Sequence, residues 1–75
     1  MNNEQRKRLT QYQSQLEEIK AKVEEIQEEE ENKLDNMENF SGTEKYETLE
    51  QKIGDIEYLV QYIDEAIDQI NCIIE

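Results

Sequence analysis

The sequence contains no histidine, no proline and no tryptophan, and a single cysteine, Cys72, in 75 residues. Without histidine the common zinc and haem ligand sets are missing, and no serine or cysteine nucleophile has an imidazole base. A di-iron bundle is argued against on the same ground, since its Glu-x-x-His pairs need histidine. A lone cysteine closes no internal disulfide. Glycine occurs only at Gly42 and Gly54, too sparsely for a phosphate-cradling loop. A calcium loop starting at Asp35 fails at Met37, Phe40 and Tyr46, which stand where a ligand, the turn glycine and the closing glutamate belong. The composition predicts a protein that is not an enzyme and holds no cofactor and no metal.

Long apolar runs are missing too. Nothing approaches the roughly 20 apolar residues of a spanning helix. The segment Met1–Arg6 lacks the apolar core of a signal peptide, so the cytosol is the expected compartment. Positive charge is scarce: 8 Lys and Arg against 20 Asp and Glu give a net charge of -12. Such a surface repels nucleic acid and anionic lipid. Direct nucleic-acid or membrane binding is not expected, whereas a basic protein groove is a fitting partner.

What remains is helical periodicity. In the first half Leu9, Tyr12, Leu16, Ile19, Val23 and Ile26 recur in alternating steps of 3 and 4, the a/d seam of a coiled coil. The series then crosses Glu30 and resumes at Leu34 and Met37, an 11-residue step that relaxes the supercoil locally. The second half runs without interruption through Tyr46, Leu49, Ile53, Ile56, Val60, Ile63, Ile67, Ile70 and Ile74. Between the two lie Asn36, Asn39, Ser41 and Gly42, which read as a turn. Asn2 or Asn3 can cap the first helix. Ser41 with Glu44 fits a capping box for the second, with Thr43 the rival cap.

One domain is therefore expected: helix 1 over about 3–36, a turn over about 37–43 and helix 2 over about 44–74. Folded back, the seams pair Leu9 with Ile70, Leu16 with Ile63, Val23 with Ile56 and Ile26 with Ile53. The flanks then bring Lys20 near Glu57, Gln13 near Asp64 and Glu29 near Lys52, with no like-charge clash. The fold class is all-α, an antiparallel two-helix coiled-coil hairpin.

Helix 2 carries Leu59, Ala66 and Ile73 beside its seam, a stripe wider than one partner helix covers. A homodimer docked as a four-helix bundle is the expected way to bury it. Candidate interface residues are Leu59, Val60, Ile63, Ala66, Ile67, Ile70, Ile73 and Ile74. Candidate partner-binding residues are the acids Glu24, Glu25, Glu28, Glu29, Glu31, Asp35 and Glu38. To these are added Tyr58 and Tyr62, one turn apart and off the seam, because paired exposed aromatics anchor interfaces. The plainer alternatives are a solvated acidic face, and tyrosines packed on each other. Glu30 occupies a seam position and is expected to reach outward or pair with Lys33.

The segment Leu34-Asp35-Asn36-Met37-Glu38-Asn39-Phe40-Ser41-Gly42-Thr43-Glu44-Lys45-Tyr46-Glu47 resembles a turn of small acidic proteins from phages and mobile elements of Gram-positive bacteria. Their pattern is L-D-N-x-P-E-N-L-x-x-S-E-R-Y-E, followed by a helix rich in Ile-Asp and Leu-Glu. Here the proline between Met37 and Glu38 is missing, and Thr43 stands where serine is usual. The resemblance covers about half of the chain. It implies a helical hairpin of phage or mobile-element origin, acting in the bacterial host cytosol, and transfers no functional residues. Two functions are then expected as rivals. One is an accessory protein that inhibits a host protein, such as a nuclease, through an acidic surface that mimics nucleic acid. The other is an assembly module that joins copies of itself or a partner helix.

Overall fold

A computed structural model describes the backbone of residues 1–75 and every side chain except that of Glu38. The chain forms two helices, α1 (Asn3–Asn36) and α2 (Glu44–Ile74), linked through one turn of 3-10 helix at Glu38–Phe40. The helices pack against each other as a hairpin measuring 57 × 15 × 13 Å.

Local chemistry sets the ends. Asn2 Oδ1 accepts the Gln5 N–H at 2.8 Å while Gln5 Oε1 accepts the Asn2 N–H at 3.2 Å, a reciprocal capping box. α1 stops at Met37, whose N–H donates back to the carbonyls of Lys33 and Leu34. Gly42 takes φ +91, a left-handed conformation that side chains with a Cβ rarely adopt. Thr43, rather than Ser41, is the N-cap of α2: its Oγ1 accepts the Tyr46 N–H at 3.3 Å and donates to the Phe40 carbonyl at 2.7 Å.

α2 presents the expected seam. Ile53, Ile63 and Ile67 are buried, and Tyr46, Leu49, Ile56, Val60, Ile70 and Ile74 are half-buried. α1 does not. Tyr12, Ile19 and Ile26 are 47, 47 and 50 % exposed. The positions turned inward are Leu9, Gln13, Leu16, Lys20, Val23, Gln27, Glu30, Leu34 and Met37. The reason lies at the turn, where Leu34 and Met37 are both drawn inward. A seam continued from them in steps of 3 and 4 runs back through Glu30, Gln27, Val23, Lys20 and Gln13. It shares Leu9, Leu16, Val23, Glu30, Leu34 and Met37 with the expected one and exchanges Tyr12, Ile19 and Ile26 for Gln13, Lys20 and Gln27, so α1 has only to roll by part of a turn.

Polar partners make that roll tolerable. Gln13 Nε2 donates to the Ile67 carbonyl at 3.0 Å, and Lys20 Nζ pairs with Asp64 Oδ1 at 2.8 Å. The sequence pattern places Lys20 beside Glu57 and Gln13 beside Asp64, and the structure shifts both partners. Helical side chains lean toward their own N-terminus. On α1 of an antiparallel pair this means leaning toward higher numbers on α2, so Lys20 reaches past Glu57 to Asp64. Glu30 pairs with Lys33 at 3.0 Å, whereas Glu29 and Lys52 form no ion pair.

The inward roll gives the first prediction. Gln27 is half-buried, and among the described residues its side chain makes one hydrogen bond, a long one of 3.5 Å to Glu31. Gln27→Leu buries an aliphatic side chain instead, worth about 1 kcal/mol. In a domain of this size that should raise the thermal midpoint by about 5 °C. An unchanged or lower midpoint in a calorimetric scan would show that residue 27 faces water.

Candidate functional site

Two opposite flanks of the hairpin differ in chemistry. Successive residues of an α-helix are turned by about 100°, so the Lys20–Asp64 pair marks one flank and fixes the other. On the Lys20 side, seven-residue rows carry Glu17, Glu24 and Glu31 on α1 and Glu50, Glu57 and Asp64 on α2. The attraction is visible at Lys20. Its hydrogen bond to Asp64, with the nearby charges of Asp64, Glu24 and Asp68, holds its pKa above the usual lysine value despite some desolvation.

On the opposite flank the α1 row reads Tyr12, Ile19, Ile26, Lys33, and the α2 row reads Ile73, Ala66, Leu59, Lys52, Lys45. Leu59 and Ile73 are 46 and 44 % exposed, and Ala66 is half-buried. Five large apolar side chains from two helices thus lie half-exposed on one side, in two parallel stripes. Tyr62 extends the patch outward and lines a shallow depression with Asp55, Tyr58 and Leu59. Near the chain ends a second depression is lined by Met1, Gln5, Arg8, Leu9 and Tyr12.

The structure sorts the candidates named from the sequence. Of the eight interface candidates, Ile63 and Ile67 are buried within the hairpin, and Val60, Ile70 and Ile74 are half-buried along its seam. Leu59, Ala66 and Ile73 lie on the apolar flank. Glu24, Glu25, Glu28, Glu29, Glu31 and Asp35 are exposed. The side chain of Glu38 lies outside the described residues. Tyr58 and Tyr62 are both exposed and lie together. Sequence reasoning missed Tyr12, Ile19 and Ile26 as surface residues, because it placed them in the seam. The apolar residues of α1 fall in two overlapping series, and Leu34 belongs to both, so the spacing did not choose between them.

Among the described residues, no group of three or more acidic or cysteine side chains is arranged to hold a metal ion. No helix of the described residues is long and apolar enough to cross a membrane. Cys72 is exposed and unpaired. No protein-family model matches the chain, and comparison with curated proteins and with solved structures finds no match.

Proposed function

We propose that this chain is a non-enzymatic association module that acts by docking its apolar flank against another helical surface, a second copy of itself in the first instance. The observation that carries this reading is the double stripe of Tyr12, Ile19, Ile26, Leu59 and Ile73, all about half-exposed. Isolated exposed aliphatics are ordinary; a double stripe drawn from two helices supports reading this flank as a binding surface. The surface area agrees. A compact monomer of 9.0 kDa exposes about 4,900 Å², whereas this chain exposes 5965 Å². The excess, on the order of 1,000 Å², comes with the elongated shape of the hairpin and leaves room for the ~800 Å² that each partner gives to a standard interface.

The thin core points the same way. Among the described residues three side chains are buried, Ile53, Ile63 and Ile67, and none is fully so. Domains this small gain stability from disulfides, metals or self-association, and a lone cysteine supplies no disulfide. Sedimentation equilibrium at micromolar concentration should return about twice the 9.0 kDa chain mass. A helical monomer under those conditions would sink this reading.

A second reading, inhibition of a basic host protein by a chain of phage or mobile-element origin, draws support from the segregation of charge. Glu24 and Glu31 lie on the flank away from the apolar stripe, and Glu25, Glu28 and Asp35 lie on the outer face of α1. All five stay accessible in a dimer. If they engage a basic groove, a partner captured from a Gram-positive lysate should release steeply with added salt. The variant Glu28→Lys/Glu31→Lys should lose that partner, whereas Glu65→Lys/Asp68→Lys should retain it. Equal loss in both variants would reduce the acidic surface to nonspecific charge.

A further inference from the structure

We infer that the second copy docks on the apolar flank with its turn pointing the opposite way, so that α1 packs antiparallel on α1 of the partner and α2 on α2. The inference rests on the self-association proposed above and adds its geometry.

A two-fold dimer that buries this flank has two forms. With the axis along the hairpin, both turns lie at one end and α1 faces α2 of the partner. With the axis across the hairpin, the turns lie at opposite ends and each helix faces its own copy. Charge separates the two. Residues 24–55, the turn half, carry twelve acids and three lysines, a net -9; the remainder carries eight acids and five bases, a net -3. Turns at the same end bring -9 against -9 along one half of the bundle. Turns opposed bring -9 against -3 in both halves. Repulsion between like charges scales with their product, so the opposed form carries the smaller penalty.

The flank itself repeats the choice at close range. Its three lysines, Lys33, Lys45 and Lys52, all stand at the turn end. The Gln13–Ile67 hydrogen bond sets Gln13 within about a turn of the level of Ile67. By the 1.5 Å rise per residue, Lys33 is then level with roughly residue 47, two residues from Lys45. With turns together, Lys33 of each copy lies against Lys45 of the other.

In the opposed form the stripes match. An axis passing close to Ile19 sets Ile19 on Ile19, and Tyr12 on Ile26 of the partner, by equal spacing on either side. On α2 the same axis falls near residue 61 and brings Leu59 within about a turn of the partner's Ala66, a large side chain beside a small one. Ile73 then lies near the partner's Lys52, whose methylenes can cover it. The outer row of α1 reads Arg8, Gln15, Lys22, Glu29. Reversed on itself, it pairs Arg8 with Glu29 and Gln15 with Lys22, with no like-charge contact. The apolar order of α1 and the charge order of its outer row are therefore self-complementary under one rotation, as an isologous interface requires.

The test is a distance between spin labels on the dimer. Ser41 lies exposed in the turn, so Ser41→Cys in a Cys72→Ser chain places one label per copy without touching the flank. The opposed arrangement puts the two labels about 60 Å apart, from the residues between turn and axis at 1.5 Å each. Turns at one end put them within about 25 Å. A dimer with the short distance overturns the orientation and leaves self-association standing. A monomer overturns the self-association itself, and the orientation with it.

Discussion

Ile63→Asp should leave the chain without a cooperative thermal transition, while Glu65→Ala, two residues away, should melt as the parent does. Ile63 is buried, 9 % exposed in the middle of α2. Aspartate there loses the isoleucine's burial, about 2 kcal/mol. It also leaves a carboxylate against an apolar seam, at a further cost of several kcal/mol. Small domains have about 5 kcal/mol to lose, and a core this thin has no reserve elsewhere. Glu65 is exposed, and removing a surface carboxylate usually changes stability by about 0.5 kcal/mol or less. Circular dichroism melts of both variants decide the matter. Matching midpoints would mean that the inner face of α2 has been placed wrongly.

The second large effect concerns the flank. Ile19→Glu combined with Leu59→Glu should convert the proposed dimer to a 9.0 kDa species in the centrifuge. The logic differs from that at Ile63. Both residues are about half-exposed in the hairpin, so glutamate at either site keeps its carboxylate in water while the chain is alone. The penalty arises only on docking, when four carboxylates are pressed into one apolar interface. Several kcal/mol at that step weaken association by at least about 100-fold. The parent should also show a midpoint that rises with protein concentration, since dimerisation stabilises the folded chain by mass action. The double variant should melt lower, and at a midpoint independent of concentration. A dimer that survives both glutamates would move the interface off this flank.

The two predictions separate faces that look alike as sequence. Ile19 and Ile63 are both isoleucines at expected seam positions, yet one is buried and the other half-exposed. On α2 the unbroken spacing of nine residues from Tyr46 to Ile74 leaves one choice of inner face, so the buried set could be read directly. Capping was nearly as legible. Asn2 with Gln5 closes α1, and of the two caps weighed for α2 the structure uses Thr43, whose hydroxyl also reaches the Phe40 carbonyl.

On α1 apolar residues occupy two overlapping series, and periodicity alone does not choose between them. One runs through Tyr12, Ile19 and Ile26; the other ends at Leu34 and Met37. A hairpin needs one continuous seam, and the turn holds α1 to the face that Leu34 and Met37 present. The cost is to set Gln13, Lys20 and Gln27 inward, which is bearable because an amide and an ammonium can extend to partners across the seam. Sequence by itself thus determined the helices, the turn, the inner face of α2 and the heavy acidic charge. Tertiary packing alone decided the roll of α1, because that depends on contacts between residues far apart in the chain. The roll turns Tyr12, Ile19 and Ile26 outward beside Leu59 and Ile73, and so joins two half-stripes into one apolar flank.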